Sequence, residues 1–149
     1  MTDSLVFSVR ATANEGIGTR VYVRKNLFDV GLPLTFDSEY PAITALEYLL
    51  GAIAGDLVAG LKDLGRRQRI AIDNVEAVIQ AELNNPLTHL GVAGESGNPG
   101  IESLAVKVYV DTPVEETVVR SLWDEVLRRS PMWHTFRTLV RFDLQLELT

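Results

Sequence analysis

Asp56 is the residue whose setting most demands a chemical explanation. It lies inside residues 41–64, PAITALEYLLGAIAGDLVAGLKDL, a run that is otherwise almost entirely apolar or small. A carboxylate there can serve as a general acid or base, as the anion of a binding pocket, or as half of a buried ion pair, because a buried charge needs a partner. Arg20 is the natural counter-charge. Glu47 stands nine residues before Asp56, and at 100° per residue the two point about 180° apart on a helix, so they do not form an acid and base pair on one face. Ser130 precedes Pro131, and His134 follows four residues later on the same side of a short helix. Ser130, His134 and Asp56 are the residue types of a hydrolytic triad. No nucleophile-elbow pattern surrounds Ser130, however, and its simpler role is to cap a helix that starts at Pro131.

These residues require particular elements to position them. Residues 41–64 read as one long helix, with Leu46, Leu49, Leu50, Ile53, Leu57, Val58 and Leu61 spread around it and therefore burial expected on most sides. Thr44 and Glu47 have the spacing of a capping box, and Gly65 is read as the left-handed residue that closes the helix. Gly51, Ala52, Ala54, Gly55, Ala59 and Gly60 allow another backbone to approach closely, so a partner helix is expected. The run approaches the length of a membrane span, but Asp56 near its middle argues against one.

Two-residue alternation predicts strands at residues 5–11, 19–24, 26–36, 70–83, 104–111 and 140–148. A second helix is expected over residues 113–129, begun by Thr112, Pro113 and Glu115 and ended before Pro131. A short third helix is expected over residues 131–138. Residues 84–103 are rich in glycine and proline without either period, as in functional or mobile loops. The order βββ-α-ββ-α-β indicates an α+β fold and a single domain over residues 1–149.

Composition excludes several functions. The 149 residues include no cysteine, which removes disulfides, thiolate chemistry and thiolate metal sites, and the two widely separated histidines argue against a His-rich metal site within one chain. A net charge of −6 disfavours nucleic acid and anionic membrane as partners. The N-terminus has no secretory signal pattern, so the cytoplasm is the expected location and no cofactor is implied.

The element order and two local patterns resemble the OsmC/Ohr family, the osmotically inducible and organic-hydroperoxide-resistance proteins. EYLLGAIAGDL is similar to that family's central-helix signature, with Asp56 where a cysteine would stand, and Ser130-Pro131-Met132 is similar to its Cys-Pro. The resemblance covers nearly the whole chain and implies an intertwined homodimer with antiparallel strands around the long helix. It also implies an arginine near the second strand, matched by Arg20 or by Arg24. The family reduces organic hydroperoxides with the two cysteines. Carboxylate and hydroxyl cannot replace them, since neither passes through a sulfenate or a disulfide. The expectation is therefore a homodimer that binds a small, partly apolar molecule, with Arg20, Arg24, Glu47, Asp56, Ser130 and His134 as pocket candidates. A non-thiol enzyme using Asp56 as acid or base, and a purely structural dimer, are the alternatives.

Overall fold

A computed structural model describes residues 4–16 and 18–149. The chain forms two units, Met1–Leu49 and Leu50–Thr149. In the first, β1 (Arg10–Ala13), β2 (Thr19–Val23) and β3 (Asn26–Val30) make an antiparallel sheet in that order. The expected first strand begins five residues late. Its alternating residues Leu5, Phe7 and Val9 are exposed, because Arg10 already pairs with Tyr22 and the β2–β3 turn at residues 24–25 leaves β2 no length for them. Gly18 takes φ 95°, and a side chain there would collide with the Val30 carbonyl at 2.0 Å. The third strand ends at Val30, not residue 36. The chain instead folds back, and the Gly31 and Ala45 amides donate to the carbonyls of Ile43 and Leu32 at 2.8 and 3.1 Å.

α1 (Ala45–Arg67) starts at the predicted capping box. The Thr44 amide and hydroxyl both donate to Glu47 Oε1 at 2.9 Å, and the Glu47 amide donates to Thr44 Oγ1 at 3.2 Å. Its end differs from expectation. Arg69 is the left-handed residue, at φ 58°, and the amides of Ile70 and Arg69 close onto the carbonyls of Gly65 and Arg66 at 2.8 and 3.2 Å, a Schellman closure. Gly65 lies inside the helix for a different reason: a β-carbon there would meet Ile72 Cγ1 at 3.1 Å.

In the second unit, β4 (Asn74–Leu83), β5 (Ile101–Asp111) and β6 (Arg141–Leu148) form a sheet in the order β4-β5-β6. β4 and β5 are antiparallel. β5 and β6 are parallel, which corrects the all-antiparallel expectation: α3 (Glu116–Arg129) and α4 (Pro131–Phe136) form the crossover that a parallel pair needs. Between β4 and β5, residues 84–100 carry α2 (Pro86–His89) and are held by backbone bonds from Asn84 to Gly100 and from Asn85 to Asn98. α3 lacks its expected capping box. The Thr112 hydroxyl donates to the Ala71 carbonyl at 2.6 Å, and Glu115 at the N-cap makes no side-chain cap bond.

Leu57, Leu61 and Leu64 of α1 share one core with Val106, Val108 and Val110 of β5, Leu146 of β6, and Val119, Leu122, Trp123 and Val126 of α3. Each fully buried leucine or valine contributes roughly 1.5–3 kcal/mol relative to exposure. Burial on α1 is confined to one stripe, Ile53, Leu57, Leu61, Leu64 and Gly65. Within the single chain, cover is supplied to this one face only, so the expected burial on most sides is met here on that stripe alone. Gly51, Ala52, Gly55 and Ala59 remain exposed.

Candidate functional site

Asp56 follows the buried stripe of α1 by position, between Ile53 and Leu57, and is itself half-buried. Ser130 lies at the junction of α3 and α4. The residue before a proline disfavours helical geometry, and Ser130 is extended, with ψ 118°. The break turns its hydroxyl two ways. Ser130 Oγ accepts the Trp133 amide at 2.9 Å, capping α4 as expected, and donates a short hydrogen bond to Asp56 Oδ2. Residues 74 positions apart are thereby joined, and Ser130 is only 5% exposed.

A cavity of about 170 Å³ opens beside this pair, lined by Asp56, Gly60, Asp63, Leu64, Arg67 and Ser130, with Val126, Arg129 and Pro131 completing the wall. Gly60 brings α1 close to α3: a β-carbon there would stand 3.1 Å from Val126 Cγ1. Asp63 receives Arg67 Nε at 3.0 Å, and Glu125 receives Arg129 Nε at 2.6 Å. Glu125 also binds Arg128 through two bonds of 2.6 and 2.7 Å. Hydrogen bonds from Arg128 and then Arg129 hold its carboxyl down at about 2.

The other expected site residues have different commitments. His134 Nε2 bonds the Arg128 carbonyl at 2.8 Å, so the Ser130 hydroxyl is bonded to a carboxylate and not to an imidazole, and no triad is assembled. Arg20 pairs with Asp29 at 3.0 Å, and that hydrogen bond raises its pKa. Arg24 sits in the β2–β3 turn at φ 54° and is exposed. Glu47 is held in the capping box, where the Thr44 amide and then its hydroxyl keep the carboxyl below its ordinary value. Gly60 has the close helix approach expected of it, whereas sequence reasoning missed Asp63, Arg67 and Arg129 as cavity residues. A signal for two of them was present: Asp56, Gly60, Asp63 and Arg67 are spaced by four, three and four residues, one face of a helix.

Among the described residues, no group of three acidic or histidine side chains could hold a metal ion, and no helix is long and apolar enough to cross a membrane.

The fold is similar to those of solved OsmC-like and organic hydroperoxide resistance proteins. The chain is similar to an OsmC-like protein from Mycoplasma pneumoniae, with 15% identity, a TM-score of 0.79 and 99% of each chain covered. An organic hydroperoxide resistance protein OsmC from Legionella pneumophila gives 14% identity and a TM-score of 0.69 over 97% of this chain and 99% of that one. An organic hydroperoxide resistance protein from Elizabethkingia anophelis gives 12% identity and 0.71 over the full length of both. No family model matches the sequence and no curated protein matches it. The chain thus has the OsmC-like α+β fold, without a cysteine anywhere in its sequence.

Proposed function

We propose that this chain is a single OsmC-like domain that acts as a cytoplasmic homodimer and binds a small, partly apolar molecule beside Asp56 and Ser130, at the subunit interface, without thiol chemistry. The observation that carries this reading is the direct bond between Asp56 and Ser130 in the wall of a cavity. By resemblance these are the two positions where an OsmC/Ohr protein keeps its reactive cysteines, so the pocket is retained while its redox chemistry is gone. A homodimer is supported by the exposed small-residue face of α1 and by the commonness of two-fold assemblies. Acid–base catalysis by Asp56 is less well supported, because its Oδ2 is engaged by Ser130 and no imidazole joins them.

Native mass spectrometry of the protein purified gently from its own source tests the reading. The expected species is twice the 16.5 kDa chain with a reproducible added mass that Asp56→Ala abolishes. A bare dimer, together with an Asp56→Ala variant that loses roughly 1.5–3 kcal/mol of stability in urea, the worth of a hydrogen bond to a charged group, would instead make the pair purely structural. Vigorous hydroperoxide turnover with a dithiol reductant would overturn the proposal outright.

A further inference from the structure

The charged residues that line the cavity beside Asp56 balance, Asp56 and Asp63 against Arg67 and Arg129, in a chain of net charge −6. Asp63 is held by both Arg66 and Arg67, at 2.8 and 3.0 Å. Glu125 is held by both Arg128 and Arg129. Four guanidinium groups therefore stand against these two carboxylates, with Arg66, Arg128 and Glu125 lying outside the cavity wall. Helix ends account for the presence of basic residues, because α1 and α3 both terminate here and positive charge suits a helix C-terminus. They do not account for the donors left over. Arg67 and Arg129, the two arginines that line the cavity, commit only Nε to their ion pairs, and among the described residues their terminal amino groups have no protein acceptor.

The opposite arrangement holds at Asp56. Its carboxylate accepts one hydroxyl bond from Ser130, and no arginine or lysine of the described Leu50–Thr149 unit is ion-paired with it. Arg67 and Arg129 are 64% and 53% exposed, at the mouth, whereas Ser130 and Leu64 are buried. One cavity thus presents free planar donors at its mouth, a carboxylate acceptor, and an apolar wall of Leu64, Val126 and Pro131. Its volume, about 170 Å³, lies below the roughly 300–1,000 Å³ of pockets that enclose drug-sized ligands. The occupant must be small.

Resting on the binding reading above, we propose that the ligand is a small organic monocarboxylate that also carries a hydroxyl group. Its carboxylate meets the free amino groups of Arg67 and Arg129, whose fork geometry matches a planar carboxylate, and its hydroxyl donates to Asp56. Because Asp56 and Asp63 already balance Arg67 and Arg129 in the wall, the site favours a ligand with no more than one negative charge. A doubly charged phosphate would be repelled more strongly by Asp56 and Asp63.

The test is a titration of the isotope-labelled full chain, followed by amide NMR, with 3-hydroxybutyrate, butyrate, 1,3-butanediol and inorganic phosphate at one ionic strength. 3-Hydroxybutyrate is expected to shift Gly60 and Ser130 and to bind about tenfold tighter than butyrate or the diol, the ratio that one charge-assisted hydrogen bond supplies. Arg67→Gln with Arg129→Gln should reduce it to the level of the diol, and Asp56→Asn should reduce it toward butyrate, with dispersed spectra showing both variants folded. Equal binding of the neutral diol, preference for phosphate, or no shift with any probe would overturn the assignment. A neutral molecule recovered by native mass spectrometry would also overturn it while leaving the binding reading standing. Failure of the titration together with a bare dimer would remove both.

Discussion

Ser130 has one proton to give, and Asp56 receives it. A hydroxyl also has two lone pairs, and one of them caps α4 through the Trp133 amide. Substitution there removes a helix cap and leaves Asp56 without its donor, so stability alone is a poor guide to the role of Ser130. Glu125 offers a cleaner test at this scale, because its state is set by two identified neighbours. Its folded pKa of about 2 lies below the ordinary 4.5, so the unfolded chain takes up the proton first as pH falls. The stabilisation is therefore fully present above about 4.5 and is lost as pH drops toward 2. Carboxyl carbon NMR is expected to place its midpoint near 2, and the double change Arg128→Gln with Arg129→Gln should move it up toward 4.5. A midpoint unmoved by that change would show that the arginines are not its cause.

At the scale of elements, the closure of α1 makes a prediction with two opposite signs. Arg69 holds a left-handed conformation that costs a side-chain-bearing residue roughly 1–2 kcal/mol, so Arg69→Gly should raise stability by up to about 1 kcal/mol after glycine's own entropy cost. Gly65→Ala should lower it, because the added methyl meets Ile72 Cγ1 at 3.1 Å and overpacking costs about 1–3 kcal/mol. Urea unfolding of the two variants measures both; a gain from Gly65→Ala would mean that Ile72 yields freely. The same helix shows what sequence could disclose. The Thr44–Glu47 capping box was legible because it depends on residues three apart. The closing glycine was misread because glycine serves both left-handed turns and close packing, and only the position of Ile72 decides between them. Strand alternation located β4, β5 and β6, but the parallel pairing of β5 and β6 and the early loss of pairing before Arg10 depend on which strand lies alongside. At the cavity, Asp56 and Ser130 were individually conspicuous. Their contact spans 74 positions, and no local pattern reports it.

At the scale of the whole molecule, the exposed face of α1 separates the demands of one chain from those of an assembly. A β-carbon added at Gly51 or Gly55 meets nothing within 4 Å in the chain itself, and replacing a helical glycine with leucine gains roughly 0.5–1 kcal/mol of helix propensity. Gly51→Leu with Gly55→Leu should therefore make the isolated subunit more stable. If this face packs against a second copy, as proposed, the same pair of leucines should drive the assembly apart. Sedimentation equilibrium is expected to show the mass falling from twice 16.5 kDa to a single chain. A dimer that persists would place the interface on another surface, with the exposed Leu5, Phe7 and Val9 segment the next to examine.

The crossover that makes β5 and β6 parallel also sets a schedule. Ser130 leaves the ribosome 74 residues after Asp56, and at about 5–20 residues per second that interval is roughly 4–15 s. Throughout it, Leu57, Leu61 and Leu64 have been synthesised while α3, which contributes Val119, Leu122 and Val126 to their core, is still arriving. Within the core it shares with β5, β6 and α3, the helix that holds the site together in the finished protein is thus made first and waits longest for its cover.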